Sequence, residues 1–382
     1  MEYVQERITT LHDLRDPTPT VPTDRAAVVV PMTEREYGTA AAEGVLSELA
    51  AVDPARVVIP LRAAPDTVDP FCEWLDGFDL PLEVLWCSGP RLARLLDDHG
   101  LNGAGGKGRD VWLALGQVLD AEYVVCHDAD TETYDRWYVP RLLFPLLYGH
   151  SFSKGYYARV EDNHLYGRLF RLFYAPLVRT LAEEVDAPIL DYLSAFRYAL
   201  AGEFAATGDL VSRLRVQRSW GLELGTLGDA YRHAGFEGSA QVDLGAYEHD
   251  HRAVGGTAGL SEMSSPVGDA LFRAVGDHGV EPTYATLPDR YRSTAARFVE
   301  QYAVDAAYNG LEYDRSDELD QVAAYSETIA EPGVDTRLPA WRETSLAPEA
   351  VADAAAADIA AVRADSTGLP ADTPSRTVDE GR

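Results

Sequence analysis

The residues with the clearest chemical potential are Asp128 and Asp130, which close the run Tyr123-Val124-Val125-Cys126-His127-Asp128-Ala129-Asp130. A strand alternates its side chains, so two carboxylates one residue apart leave its end on the same side, with Ala129 turned away. Two hard oxygen donors facing one direction suit Mg²⁺ or Mn²⁺, cations that keep open positions for the oxygens of a diphosphate. An Asp pair after a strand also serves as a turn or a helix cap, so the motif needs company.

Further residues of the right type follow. Lys107 sits in Gly105-Gly106-Lys107-Gly108, a cation in a glycine-rich stretch without the spacing of a Walker loop. It is one of only two lysines in the chain; the other, Lys154, falls on a strand-like run shortly after the aspartates. His249 and His251 occupy alternate positions after the strand-like Gln241-Val242-Asp243-Leu244, and a neutral imidazole can complete a carboxylate metal site. Glu223 follows the break Trp220-Gly221 at the start of a helix-like stretch, where it could bond sugar hydroxyls.

These residues need a scaffold, and the first half of the chain supplies an alternating one. Buried-type runs at Ala26–Pro31, Arg56–Pro60, Leu82–Cys87 and Tyr123–Cys126 are separated by helical patterns at Thr39–Leu49, Arg91–His99 and Val111–Leu119. Such alternation predicts an α/β domain with a mostly parallel sheet flanked by helices and ligands at the carboxyl ends of its strands. From Tyr138 to Ala201 the pattern turns helical and aromatic, an αβ stretch spans Leu222 to Leu244, and a long helix runs over Asp289–Leu311. Beyond Thr344 an acidic, Ala-rich tail follows, with a helix at Pro348–Ala364 and disorder expected over the last twenty residues.

The 382 residues carry 62 acidic and 33 basic side chains, a net charge of −29, with the apolar content of a globular protein. An acidic, lysine-poor surface reads as adaptation to high salt, and without a basic stripe nucleic-acid binding is excluded. Cys72, Cys87 and Cys126 have no metal-ligand spacing and cannot all pair, and no apolar segment of about 18 residues exists, so a cytoplasmic protein without membrane spans is expected.

Taken in order, Val28-Val29-Val30-Pro31, Gly106-Lys107-Gly108, His127-Asp128-Ala129-Asp130, Tyr166-Gly167-Arg168, Leu200-Ala201-Gly202-Glu203-Phe204, Gly221-Leu222-Glu223, Gln241-Val242-Asp243-Leu244-Gly245 and His249 resemble the glucosyl-3-phosphoglycerate synthase family, and the segment Ala307–Arg315 resembles its closing segment. The resemblance implies a retaining GT-A glycosyltransferase with a Rossmann-like sheet and a helical C-terminal extension. The expected organisation is an N-terminal extension (1–24), a nucleotide-sugar half (25–135), an acceptor half (136–260), a helical segment (261–343) and a tail (344–382).

By the same resemblance Asp130 and His249 hold Mg²⁺ or Mn²⁺, and Asp128 lies near the nucleotide's ribose. Pro31, Thr33, Glu34 and Lys107 line the nucleotide, and Glu223 holds the donor sugar. Gly167 and Arg168 take the acid group of a phosphoglycerate or glycerate acceptor, with His251 another acceptor contact. Asp128 and Glu223 are the residues expected nearest the reaction, and a homodimer is implied. Departures fall at Phe170, where the family has a hydroxyl residue, at His251 in place of Asn, and at Met32-Thr33-Glu34 and Ile59–Ala63 beside the base, which leaves UDP-, GDP- and ADP-hexoses open as donors. Two alternatives stand beside this reading: a transferase of the same fold acting on another small polar acceptor, and a non-catalytic nucleotide-sugar-binding protein.

Overall fold

The computed structural model describes residues 5–248 and 257–367. Strands β1 (Thr9–Leu11), β2 (Ala26–Val29), β3 (Met32–Thr33), β4 (Arg56–Arg62), β5 (Leu82–Trp86), β6 (Tyr123–Cys126), β7 (Phe152–Ala158), β10 (Phe204–Thr207) and β11 (Ser239–Ala246) form one nine-stranded sheet among the described residues. Its order is β1-β11-β7-β10-β6-β2-β4-β3, with β5 also on β4, and a separate ribbon pairs β8 (Val160–Glu161) with β9 (His164–Leu165). Every pairing in the large sheet is parallel except those of β10, which runs antiparallel to both β6 and β7.

The alternation seen in the sequence is the alternation of faces. Ala27 and Val29 of β2 join one core with Val58, Val124 and Cys126, while Ala26, Val28 and Val30 join the other with Val57, Ile59 and Val125. Central strands buried on both faces are continuously apolar, which is why these runs read as strands without a polar face. Helices α1 (Ala40–Ala50), α2 (Pro65–Leu75), α3 (Pro90–Asp98) and α4 (Lys107–Gln117) link the first strands. Short α5 (Tyr138–Leu143), α6 (Ala175–Ala182), α7 (Pro188–Ser194) and α8 (Gly208–Val211) then lead to α9 (Leu222–His233). Past it lie α10 (Thr257–Gly276), α11 (Leu287–Asn309), α12 (Arg315–Glu327) and α13 (Pro348–Thr367).

Three differences from the sequence reading matter for the site. The helix expected from Val111 begins at Lys107, so the lysine is the first residue of α4 and not part of a loop. The strand-like run around Lys154, set in a stretch otherwise read as helical from Tyr138 to Ala201, is the sheet's interior strand β7, where Lys154 is buried with its Nζ donating to Ala201 O at 2.6 Å. A short strand in the N-terminal extension pairs with β11, and α12, not expected as an element, brings its first turn to the cleft described below.

The acidic tail is also structured as far as it is described. Asp358 of α13 is buried and accepts from the free backbone N–H groups of Arg91 and Leu92 at 2.8 and 3.1 Å, capping α3 from another part of the chain. Trp341 stacks on Trp112 of α4 with ring centroids 4.3 Å apart and fixes the segment that leads to α13.

Candidate active site

One cleft of about 1650 Å³ opens at the carboxyl ends of β2, β4 and β6. It is lined by Pro31, Thr33, Glu34, Lys107, Asp128, Asp130, Gly167, Arg168 and Glu223, so every described residue picked out from the sequence as a site residue meets in one place. His249 and His251 lie outside the described residues.

The centre is a cation among carboxylates. Lys107 Nζ lies 2.5 Å from Asp128 Oδ1 and 3.5 Å from Glu223 Oε1, joining the start of α4 to the end of β6 and the first turn of α9. Burial opposes the lysine's charge, but Asp128 and Glu223 outweigh it and hold its pKa well above the ordinary value. Gly221, just ahead of Glu223, has φ +92°, and a Cβ there would lie 2.7 Å from Ala270 Cβ, so only glycine lets α9 start this close to α10. Gly202 plays a similar part beneath Asp128, since a Cβ would stand 2.6 Å from its Oδ2.

Asp130 makes no hydrogen bond or ion pair among the described residues, and its acid is pushed up to about 7 by burial and by Asp128 beside it. A half-buried carboxylate without a partner, facing the same cleft as a second one, fits the donor set a hard divalent cation requires. The described residues hold no group of three metal-ligating side chains, so the pair would need a further ligand from outside them.

At one end of the cleft, Thr33 caps the short turn after β3: its Oγ1 donates to Glu36 Oε2 at 2.8 Å and accepts from Arg35 N. Glu34 accepts from Ala64 N at 3.1 Å, and Arg62 pairs with buried Asp110 at 2.9 Å. At the other end, Gly167, at φ +79°, turns the chain below Tyr198, and Arg168 bonds Glu318 and Asp317 of α12. Phe170 packs its ring 4.9 Å from Tyr198 and 5.5 Å from Tyr174.

Several residues lining the cleft or buried behind its wall carried no role in the sequence reading. Glu203 is fully buried, accepting from Tyr157 Oη at 3.0 Å and Tyr247 Oη at 3.2 Å, and burial followed by Asp128 raises its pKa to about 7. The rings of Tyr157 and Tyr247 stack at 3.8 Å, and Thr131 Oγ1 donates to Tyr247 Oη at 3.1 Å. An acid at the mouth of the apolar run Phe204–Ala206 was the available signal for Glu203; Asp317 and Glu318 gave none, because acids in a helix's first turn are ordinary.

No family model matches the chain. Among characterised proteins, the glucosyl-3-phosphoglycerate synthase of Methanococcoides burtonii is 34% identical over 392 residues, spanning 91% of this chain and 95% of its own. That of Persephonella marina is 35% identical over 292 residues, 72% of each chain. The chain belongs to the glucosyl-3-phosphoglycerate synthase family. The crystal structure of the Mycobacterium tuberculosis family member in complex with Mn²⁺, UDP and phosphoglyceric acid matches it with a TM-score of 0.54 at 22% identity, over 72% of this chain and 88% of that one. The complex of the same enzyme with Mg²⁺ and UDP gives the same TM-score of 0.54. The fold is therefore the family's GT-A fold.

Proposed function

We propose that this family member transfers the glucosyl group of UDP-glucose to 3-phosphoglycerate or glycerate, with retention and with Mg²⁺ or Mn²⁺. The observation that carries the reading is the cluster of Lys107, Asp128, Asp130 and Glu223 in one cleft, with Arg168 at its far end. Family structures in complex with Mn²⁺ and UDP-glucose with phosphoglyceric acid, or with UDP and glucosyl-3-phosphoglycerate, support the choice of donor and acceptor.

In this reading Asp130 holds the metal together with His249, and the metal, when bound, offsets charge on the diphosphate. Pro31, Thr33 and Glu34 line the uridine side, and Asp128 the ribose. Lys107 adds a positive charge beside the departing phosphate. Glu223 holds the glucose hydroxyls, so the anomeric carbon is fixed relative to the acceptor. Gly167 and Arg168 hold the acceptor's acid group, with His251 a further contact. The acceptor hydroxyl oxygen bonds to the anomeric carbon as the bond to UDP breaks, on the same face, and the leaving phosphate oxygen takes the hydroxyl proton. This accounts for retention without a protein nucleophile.

The acidic surface supports activity in concentrated salt within the cytoplasm, and no helix among the described residues is long and apolar enough to cross a membrane. The resemblance supports a homodimer, which sizing chromatography in KCl tests. The deciding experiment is a mass-spectrometric transfer assay in concentrated KCl with Mn²⁺, UDP-, GDP- and ADP-hexoses, and both phosphoglycerate and glycerate. A hexosyl product formed by the wild type and absent with Asp130→Ala is expected; donor binding without product would favour a non-catalytic binding protein.

A further inference from the structure

Arg168, the cation proposed for the acceptor's acid group, does not face the cleft unengaged. Its Nε donates to Glu318 Oε1 at 2.9 Å and its Nη2 donates to the Asp317 carboxylate. Nε and Nη2 form the edge that an arginine offers to a carboxylate or phosphate for two parallel hydrogen bonds. Here two different carboxylates hold that edge, one on each nitrogen.

The two are not equivalent. Glu318 is 3% exposed and also bonds Arg171 Nη1 and Nη2 at 3.0 and 3.2 Å, so displacing it would strand buried charges. The Asp317 side chain is 48% exposed, on the first turn of α12 at the cleft wall, and Arg168 is its only side-chain partner among the described residues. An exposed ion pair of this kind costs little to open. Phe170 packs its ring on Tyr198 and offers no polar atom nearby, which leaves the Arg168 edge as the anion contact on this stretch of chain.

We infer that Asp317 sets the affinity for the acceptor by holding the Nη2 side of Arg168 until an incoming anion replaces it. The inference rests on the reading of Arg168 as the acceptor contact. Acceptor binding becomes an exchange of one anion for another: Glu318 keeps the guanidinium in place, while Asp317 swings into water and the acceptor's acid group takes its position. An acceptor without an acid group has nothing to exchange and gains no hold on Arg168. Asp317 acts through Arg168 and is a positioning residue.

The test compares the wild type with Asp317→Asn and Asp317→Glu in the transfer assay with UDP-glucose and phosphoglycerate. Asp317→Asn removes the competing charge and is expected to lower the acceptor KM by about two- to fivefold, the range of an exposed ion pair, with kcat and the UDP-glucose KM unchanged. Asp317→Glu keeps the competitor and behaves as the wild type. An acceptor KM that is unchanged or raised in Asp317→Asn, or a donor KM that moves with it, overturns the inference while leaving the proposed reaction standing. If the wild type forms no product, the proposed reaction fails. Calorimetric titration of phosphoglycerate into both proteins with UDP and Mn²⁺ then decides: tighter binding to Asp317→Asn supports the exchange, and equal or no binding overturns it.

Discussion

Lys107 Nζ sits 2.5 Å from Asp128 Oδ1, so the first aspartate of the motif already has a cation in the folded chain while Asp130, two residues on, has none among the described residues. The two carboxylates therefore do different work. Asp128 is paired with a fixed charge from α4, whereas Asp130 sits half-buried with no ion pair among the described residues.

Replacing Lys107 with Ala is expected to lower transfer by about a hundredfold, the usual scale for removing one preorganised charge from a reacting centre. Asp128 and Glu223 would then face each other without their common cation. Initial rates with UDP-glucose at saturating Mn²⁺ check this. Activity near the wild type would mean that Lys107 only fastens α4 to β6.

Asp130→Asn should remove a binding effect that is visible without turnover. A ligand that binds only the folded state stabilises it by RT ln(1 + [L]/Kd), about 2.7 kcal/mol at a hundredfold excess over Kd. Wild-type Tm is expected to rise on adding Mn²⁺ in the presence of UDP, and the Asp130→Asn Tm is expected to stay where it was. The same metal-dependent rise in both proteins would place the cation elsewhere.

How much of this was legible in the sequence follows from what each element buries. The strands at residues 26–29 and 123–126 announced themselves because strands covered on both faces are apolar throughout, and those at 56–62 and 82–86 because short apolar runs such as residues 57–61 stand between breakers. Helix α4 was legible in type but not in its start, since two glycines before Lys107 read as a continuing loop. The strand at 152–158 was legible only as a run around Lys154 inside a stretch otherwise read as helical, because Ser153, Lys154 and Gly155 are polar or small residues in a buried interior strand, and the acceptor of Lys154 Nζ, Ala201 O, lies 47 residues away. The described residues that meet in the cleft were picked out through their order along the chain; the contacts of Arg168 with Asp317 and Glu318 come from folding and have no local signature.

The tail beyond Thr344 offers a stability test. Asp358→Ala would leave the Arg91 and Leu92 N–H groups without their acceptor and would cut the ion pair from Asp358 to Arg91 Nη1 at 3.1 Å. The loss of a helix cap typically costs 0.5–2 kcal/mol, so about 1–2 kcal/mol is expected here, given the burial of Asp358. Chemical denaturation gives the size, and faster proteolysis after residue 344 would show that α13 has loosened from α3. Unchanged proteolysis with lower stability would mean that the remaining contacts, Trp341 on Trp112, Arg363 with Asp69 and buried Val351 and Ala355, hold this segment down.

Glu203 gives a prediction whose sign depends on pH. Burial and Asp128 raise its folded-state pKa to about 7, above the ordinary carboxylate value of 4.5, so between those limits the folded chain binds more protons than the unfolded one. Its contribution to stability is therefore complete below about pH 4.5 and is lost as pH rises to about 7; above that, the full cost of burying a charge remains. Glu203→Gln carries no such charge. One amide oxygen still accepts from a tyrosine, and the amide N–H can donate to the other hydroxyl, so the contacts to Tyr157 and Tyr247 survive in altered form. The variant is expected to match the wild type near pH 5 and to exceed it by roughly 1–3 kcal/mol at pH 8. Thermal melts in KCl at the two pH values decide it: a variant that is equally destabilised at both would show that Glu203 is worth more as a hydrogen-bond acceptor than it costs as a buried anion.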